Sequence, residues 1–261
     1  MEADDATAAS GQVVLVTGGT KGVGHGIAQA FLSRGATVVV CGRNRPDELP
    51  DVDGRTAAFV SCNVRDPDQV AALINDVVAA HGRLDVLVNN AGGAPHANAA
   101  DASPRFTSGI IDLNLTAPIV VATAANAVMQ GQPEGGSIVN ICSVSGLRAS
   151  PGTAAYGAAK AGLVSLTASL AVEWAPKVRV NAISAGLIRT EQAALHYGDE
   201  GGIARVAATV PLGRMGTPAD VGEAAVFLAS SRASWISGAN LEVHGGGEWP
   251  AFLRAAAGTG S

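Results

Sequence analysis

The chain commits itself early. Six residues, Gln12 to Thr17 (QVVLVT), run directly into the glycine-rich stretch Gly18-Gly19-Thr20-Lys21-Gly22-Val23-Gly24. Ile27, Ala28, Ala30, Phe31 and Leu32 then keep helical spacing until Arg34-Gly35. An unbroken Val-rich run, without polar alternation, reads as a strand buried on both faces, which requires helices above and below it. Glycines permit a tight turn and close backbone approach, and the helix that follows offers unpaired N–H groups to an anion. Strand, glycine turn and helix in this order is the context of a dinucleotide-binding turn, here spaced TGxxxGxG rather than GxGxxG. Gly18, Thr20, Lys21, Gly22, Val23 and Gly24 are accordingly expected to hold a cofactor diphosphate.

The same alternation continues along the chain. Strands are expected at Ala36–Cys41, Thr56–Cys62, Leu84–Val88, Ser137–Ile141, Val178–Ile183 and Asn240–Val243. Helices are expected at Asp66–Ala80, Phe106–Met129, Thr153–Glu173 and Pro218–Ser230. The Pro- and Asp-rich stretch after Arg45 is too short and broken for a full helix. Such regular alternation implies a single-domain α/β fold, a Rossmann-type doubly wound parallel sheet of seven strands with helices on both faces. Ligands of such sheets lie beyond the carboxyl ends of the strands. The domain is expected over residues 11–250, between a loose tail at 1–10 and a second at 251–261. A mixed stretch of about 190–215 reads as a lid, and its Leu195, Tyr197, Ile203, Val206 and Val210 suggest a hydrophobic substrate.

Past the second strand a carboxylate would favour NAD(H) by holding the ribose 2′-hydroxyl. Gly42-Arg43-Asn44-Arg45 stands there instead. A guanidinium pairs with a 2′-phosphate that a carboxylate would repel, and Lys21 adds a second cation, so NADP(H) is preferred, with NAD(H) the lesser alternative. Asn63 and Val64, at the end of the third strand, are placed to flank an adenine. Asn90, Ala91 and Gly92 follow the fourth strand in a polar turn against which a ligand can lie.

Tyr156 and Lys160 stand four apart on the longest expected helix and share a face. A phenol ordinarily releases its proton near pH ~10, and a neighbouring cation brings that down toward neutrality. Asn114 lies in an apolar helix, where an amide is costly unless paired. Ser143 ends the fifth strand, close to where the Tyr156 helix begins.

The 261 residues are 48% hydrophobic and 15% charged with net charge −5, which argues against disorder and against nucleic-acid or anionic-membrane partners. No apolar run approaches ~20 residues, and the acidic start is no secretory signal. Cys41, Cys62 and Cys142 form no CxxC and read as buried reduced thiols of a cytoplasmic protein, with no metal expected.

TGGTKGVG, Asn89-Asn90-Ala91-Gly92, Ser143, Tyr156-x-x-x-Lys160 and the Asn181 to Gly186 turn, in this order and spacing, resemble the classical short-chain dehydrogenase/reductase family from about Gln12 to Gly247. The resemblance implies a catalytic set of Asn114, Ser143, Tyr156 and Lys160. Tyr156 would be the general acid/base and Ser143 the partner of the same substrate oxygen. Lys160 would bind the nicotinamide ribose and lower the Tyr156 pKa, and Asn114 would hold a water connecting Lys160 to solvent. Gly186, Ile188 and Thr190 would flank the nicotinamide, Thr190 at its carboxamide. The implied activity is interconversion of a ketone and a secondary alcohol, on a 3-oxoacyl thioester, steroid or lipid-like carbonyl, by a homo-oligomer, tetramer or dimer. Two other readings remain: a dinucleotide-sensing binding protein, and a dehydratase or epimerase using the same tyrosine. Ala185 departs from the family's usual proline, and His244 from its usual aspartate. Basic residues for docking an acyl carrier protein are missing apart from Lys177.

Overall fold

The computed structural model describes residues 9–253, apart from the side chains of Leu195 and His196. The expected tails at 1–10 and 251–261 therefore fall mostly outside the described residues. Seven strands form one sheet: β1 (Val13–Thr17), β2 (Thr37–Gly42), β3 (Ala58–Ser61), β4 (Val86–Asn89), β5 (Gly136–Ser143), β6 (Val178–Ala185) and β7 (Asn240–Val243). Their order is β3-β2-β1-β4-β5-β6-β7, with every neighbouring pair parallel. The order reverses between β1 and β4. That reversal opens a crevice at the carboxyl ends of the strands, as a doubly wound sheet requires.

The helices are α1 (Gly22–Ser33), α2 (Pro67–His81), α3 (Pro104–Ile111), α4 (Ala117–Gly131), α5 (Ala154–Glu173), α6 (Ala193–Tyr197), α7 (Glu200–Ala207) and α8 (Pro218–Ala229). All five residues of β1 are buried, which explains why its run carries no polar alternation. Val14 and Val16 face a core with Ile27 and Phe31 of α1 and Val221 of α8. Val13 and Leu15 face the opposite core, with Leu73 and Val77 of α2, Val121 and Ala125 of α4 and Leu170 of α5. Each fully buried Leu, Ile or Phe contributes roughly 1.5–3 kcal/mol.

Two local features differ from the expectation drawn from sequence. The broken stretch after Arg45 forms a small antiparallel hairpin, Asp51–Val52 with Arg55–Thr56. Positive φ at Asp53 (54°) and Gly54 (77°) closes its two-residue turn, the geometry an Asp-Gly pair favours. The expected third strand is consequently shorter, and Thr56 belongs to the hairpin. The expected helix over Phe106–Met129 is α3 and α4 joined by one wide π turn, Asp112–Thr116, which swings Asn114 inward.

Two helical spans, Pro104–Gly131 and Ala154–Glu173, have the length and mean hydropathy of a membrane crossing, although no single uninterrupted apolar run reaches that length. Both pack on the sheet as core helices. Where α1 crosses α8 the backbones nearly touch: a Cβ on Gly26 would lie 2.3 Å from the Cβ of Pro218. Arg179 of β6 closes the far end of α8 by donating to the carbonyls of Leu228 (2.7 Å), Ala229 (3.1 Å), Ser230 (3.2 Å) and Ile236 (3.2 Å).

Candidate active site

A cleft of about 840 Å³ runs across the carboxyl ends of β1, β2, β4, β5 and β6. Gly18, Thr20, Lys21, Gly22, Val23 and Gly24 form its floor at the start of α1. Gly22 has a φ of 56°, which an L side chain rarely adopts. A Cβ on Gly24 would lie 2.4 Å from both Asn90 Nδ2 and the Gly18 carbonyl oxygen. Glycine at these places keeps the turn tight against β4.

Asn90 staples the two strand ends. Its Nδ2 donates to the carbonyls of Thr17 (3.0 Å) and Gly18 (3.2 Å), while Thr17 Oγ1 accepts from the N–H groups of Asn90 and Ala91, both at 3.0 Å. Behind them Asn89 Nδ2 donates to Asn140 Oδ1 (3.0 Å) and Asn140 Nδ2 to Thr167 Oγ1 (2.9 Å), a buried polar chain linking β4, β5 and α5. The roles of Thr17, Asn140 and Thr167 were not foreseen. Polar residues inside otherwise apolar runs were the available signal.

At one end of the cleft Gly42, Arg43, Asn44 and Arg45 face Asn63 and Val64. Arg45 lies over the Phe59 ring at 5.7 Å, and the Arg43 carbonyl accepts from Ser61 Oγ at 3.1 Å, which fixes the loop. Neither Arg43 nor Lys21 makes an ion pair among the described residues.

At the other end Ser143, Tyr156 and Lys160 meet Gly186, Ile188 and Thr190. Ser143 sits on the last residue of β5, and its Oγ accepts from Ser145 N–H at 3.1 Å. Lys160 is 3% exposed; its Nζ donates to the Ile141 carbonyl at 2.8 Å and lies 5.7 Å from the Tyr156 ring centre. Burial lowers the Lys160 pKa to about 8. Burial also raises the Tyr156 phenol, with a Ser143 hydrogen bond pulling it back only in part. The expected lowering of Tyr156 by Lys160 is therefore not the dominant effect in the free site. Desolvation outweighs it, and the ammonium is turned toward Ile141.

Asn114 does not line the cleft; it stands behind it. Its Oδ1 accepts from Gly93 N–H (2.8 Å) and its Nδ2 donates to the carbonyls of Gly93 (2.9 Å) and Ile110 (2.9 Å). Both amide hydrogens are thus engaged by backbone, so this side chain fixes the turn after β4 instead of presenting a donor to water.

Cys142 is raised to about 11 by burial, which leaves it a poor nucleophile. The free thiol of Cys41 lies on β2 and that of Cys62 just past the end of the neighbouring β3, and their mutual hydrogen bond raises Cys41 and lowers Cys62. Among the described residues no group of three or more His, Cys, Asp or Glu is placed to hold a metal ion. His244, where the family commonly has aspartate, pairs with Glu242 at 2.8 Å, and its Cβ faces Gly186. A second groove, about 790 Å³ along the outer side of α1, contains none of the catalytic candidates.

A doubly wound parallel sheet with a glycine cradle at its reversal point, and a Ser–Tyr–Lys cluster beside it, defines an α/β oxidoreductase. Residues 17–248 match the family model described as enoyl-(acyl carrier protein) reductase. The 3-oxoacyl-[acyl-carrier-protein] reductase FabG of Chlamydia muridarum is 37% identical over 243 residues, spanning 90% of this chain and 96% of the relative. The L-fucose dehydrogenase of Oryctolagus cuniculus is 39% identical over 246 residues, spanning 92% and 86% respectively. Among solved structures, a putative short-chain alcohol dehydrogenase from Sinorhizobium meliloti superposes with a TM-score of 0.83 at 35% identity, covering 92% of this chain and 98% of that one. The chain belongs to the short-chain dehydrogenase/reductase family.

Proposed function

We propose that this chain is an NADP(H)-dependent oxidoreductase that interconverts a ketone and a secondary alcohol. Convergence of Ser143, Tyr156 and Lys160 at one end of a cleft whose other end carries Lys21 and Arg43 is the observation that carries the reading. The residues present fit such a cofactor. The turn at Gly18–Gly24 is shaped so that a Cβ at Gly24 would collide with Asn90, and cations without ion-pair partners stand where a 2′-phosphate would lie. Gly18 to Gly24 would hold the diphosphate, Asn63 and Val64 the adenine, and Asn90 to Gly92 with Gly186, Ile188 and Thr190 the nicotinamide half. Bound there, the cofactor supplies or accepts the hydride.

The chain's own part is to place and protonate the oxygen. Ser143 Oγ donates to the substrate carbonyl and steadies the charge that builds on it. Tyr156, kept protonated by burial, gives its proton to the same oxygen as hydride reaches the carbon. Lys160, mostly charged below its pKa of about 8, stabilises the phenolate left behind and binds the ribose. Run in the other direction, the same Tyr156 is the base that takes the proton from an alcohol as it is oxidised.

Residues 11–250 act as one domain with a lid at 190–215, and the protein works in the cytoplasm. An exposed stripe of Ala158, Ala161, Ser165 and Ala168 on α5 supports packing against a second copy, as a dimer or tetramer. Acyl carrier docking gains no support, because Lys177 Nζ is occupied by the carbonyls of Gln132 (2.8 Å) and Pro133 (3.3 Å). The test is the initial rate of NADPH consumption against NADH over a panel of ketones that includes a short 3-oxoacyl-CoA. NADPH-dependent turnover that Tyr156→Phe abolishes supports the reading. Faster turnover with NADH overturns the role given to Arg43. Cofactor binding without turnover in either direction favours a sensing protein.

A further inference from the structure

Apolar residues of the lid pack on one another. Ile203 clusters with Ala193 and Met215, and Val206 rests on the same cluster. Toward the cleft the lid turns Thr190, Glu191, Gln192 and Tyr197. Among the described residues that line the cleft, Lys21, Arg43, Arg45, Arg65 and Lys160 are cationic, and Glu191 is the only carboxylate. A cleft whose cations suit a polyanion thus carries one negative charge of its own.

That charge stands over the glycine turn. Outside the turn itself, the atoms nearest to the space a Cβ on Gly22 would take are Thr190 Cγ2 at 3.7 Å and Glu191 Oε1 at 3.9 Å. Gly22 opens α1, whose N-terminus has no side-chain cap and no acidic residue in its first turn. Its unpaired N–H groups are therefore left to an acceptor from elsewhere, and an anion there is favoured by the helix dipole. The Glu191 carboxylate and a cofactor diphosphate suit the same place. The backbone that carries Glu191 is fixed. Arg189 N–H donates to the Gly216 carbonyl (2.8 Å), Gly216 N–H to that of Leu187 (2.9 Å) and Ala193 N–H to that of Thr190 (3.0 Å), while Thr190 Oγ1 accepts from Gln192 N–H (3.3 Å). The Glu191 side chain, by contrast, is exposed and makes no ion pair among the described residues. It also borders the groove on the outer side of α1, which Lys21 and His25 line as well. A carboxylate on a fixed turn, with open space on two sides, can leave the start of α1 without any movement of the lid backbone.

We propose, resting on the dinucleotide site of the oxidoreductase reading above, that Glu191 is a gate for cofactor exchange. Its carboxylate competes with the cofactor diphosphate for the start of α1, which weakens cofactor binding and speeds release. Like charges a few ångström apart repel even in water, and one carboxylate against two phosphate charges sets the scale at about tenfold in Kd. Release limits turnover in many enzymes, and Glu191 acts on that step without touching the reacting carbon. Glu191→Gln keeps the shape of this exposed side chain and removes its charge. NADPH is titrated by fluorescence and its release timed by stopped flow, and ADP and 2′-AMP are titrated by calorimetry. Intact native protein and variant are compared at low salt and at about 0.5 M salt, where screening is strong. The variant should bind NADPH and ADP about three- to tenfold more tightly, with slower NADPH release, and the gain should shrink at high salt. 2′-AMP carries the 2′-phosphate without the diphosphate, and should bind both proteins alike. Native binding of NADPH that Glu191→Gln does not tighten, a gain that high salt leaves intact, or an equal gain for 2′-AMP overturns the gate and leaves the oxidoreductase reading standing. A native protein that binds neither NADPH nor ADP overturns both.

Discussion

Lys160→Met should stabilise the fold while it disables the site. The native ammonium is buried, with the Ile141 carbonyl at 2.8 Å as its hydrogen-bond acceptor. Burial takes its pKa from 10.5 to about 8. At 1.36 kcal/mol per pH unit, keeping the charge there costs roughly 3 kcal/mol at neutral pH. Methionine fills similar space without a charge, at the expense of one hydrogen bond worth about 1–2 kcal/mol. The net expectation is a gain of about 1–2 kcal/mol, or roughly 2–6 °C in Tm for a domain of this size. The sign with pH follows from linkage. The folded pKa lies below the unfolded one, so between pH 8 and 10.5 the unfolded chain binds more protons and native stability rises with pH. Below pH 8 both states hold the proton and the penalty is constant. The advantage of the variant should therefore be largest below pH 8 and shrink toward pH 10.5. Paired urea unfolding of both proteins from pH 6 to 10.5 measures it. A variant less stable than native at pH 7, or a difference independent of pH, refutes the reasoning.

Other outcomes follow from the same geometry. Arg43→Ser should weaken NADPH binding about 10–100-fold, the worth of a charge-assisted contact, and leave NADH nearly unaffected; fluorescence titration of both cofactors measures this. Asn114→Ala strips Gly93 of both side-chain partners and should cost about 2–3 kcal/mol in denaturant unfolding, together with weaker cofactor binding through the loosened turn. Gly26→Ala drives a methyl to 2.3 Å from Pro218 and should destabilise by about 1–3 kcal/mol. Gly109→Ala, with nothing within 4 Å of its new methyl, should stabilise α3 by about 0.5–1 kcal/mol, so the two alanines should shift Tm in opposite directions.

How far the sequence could be read depended on the range of the interaction. The inner strands are covered on both faces, so their apolar runs carry the signal locally, and all seven strands were legible, the edge strand β3 with shifted ends. The hairpin at Asp51–Thr56 was too short for periodicity, and only Asp53-Gly54 marked it. The π turn around Asn114 left no local trace, because one extra residue in a helix does not disturb the apolar pattern over a few turns. Among the expected cofactor and catalytic residues, those on strand ends, on the glycine turn and on α5 fall along one cleft, while Asn114 stands behind it. The lid stretch is ambiguous in sequence for a physical reason. Ile203, Val206 and Val210 are apolar, but pattern alone cannot say whether they cover a substrate or one another. Arg148 and Glu248 come from two separate segments, and only tertiary structure brings them together.

The most direct measurement follows the hydride itself. NADPH deuterated at the transferable position of its nicotinamide is incubated with the native protein and the best ketone of the panel, and the product alcohol is read by mass spectrometry and NMR. One deuteron on the carbinol carbon per NADP⁺ formed, with the rate lowered about 10²–10⁴-fold in Tyr156→Phe, is the expected result. Bound cofactor that keeps its deuterium in the presence of every ketone, or label transfer that Tyr156→Phe leaves intact, would contradict the role assigned to this site.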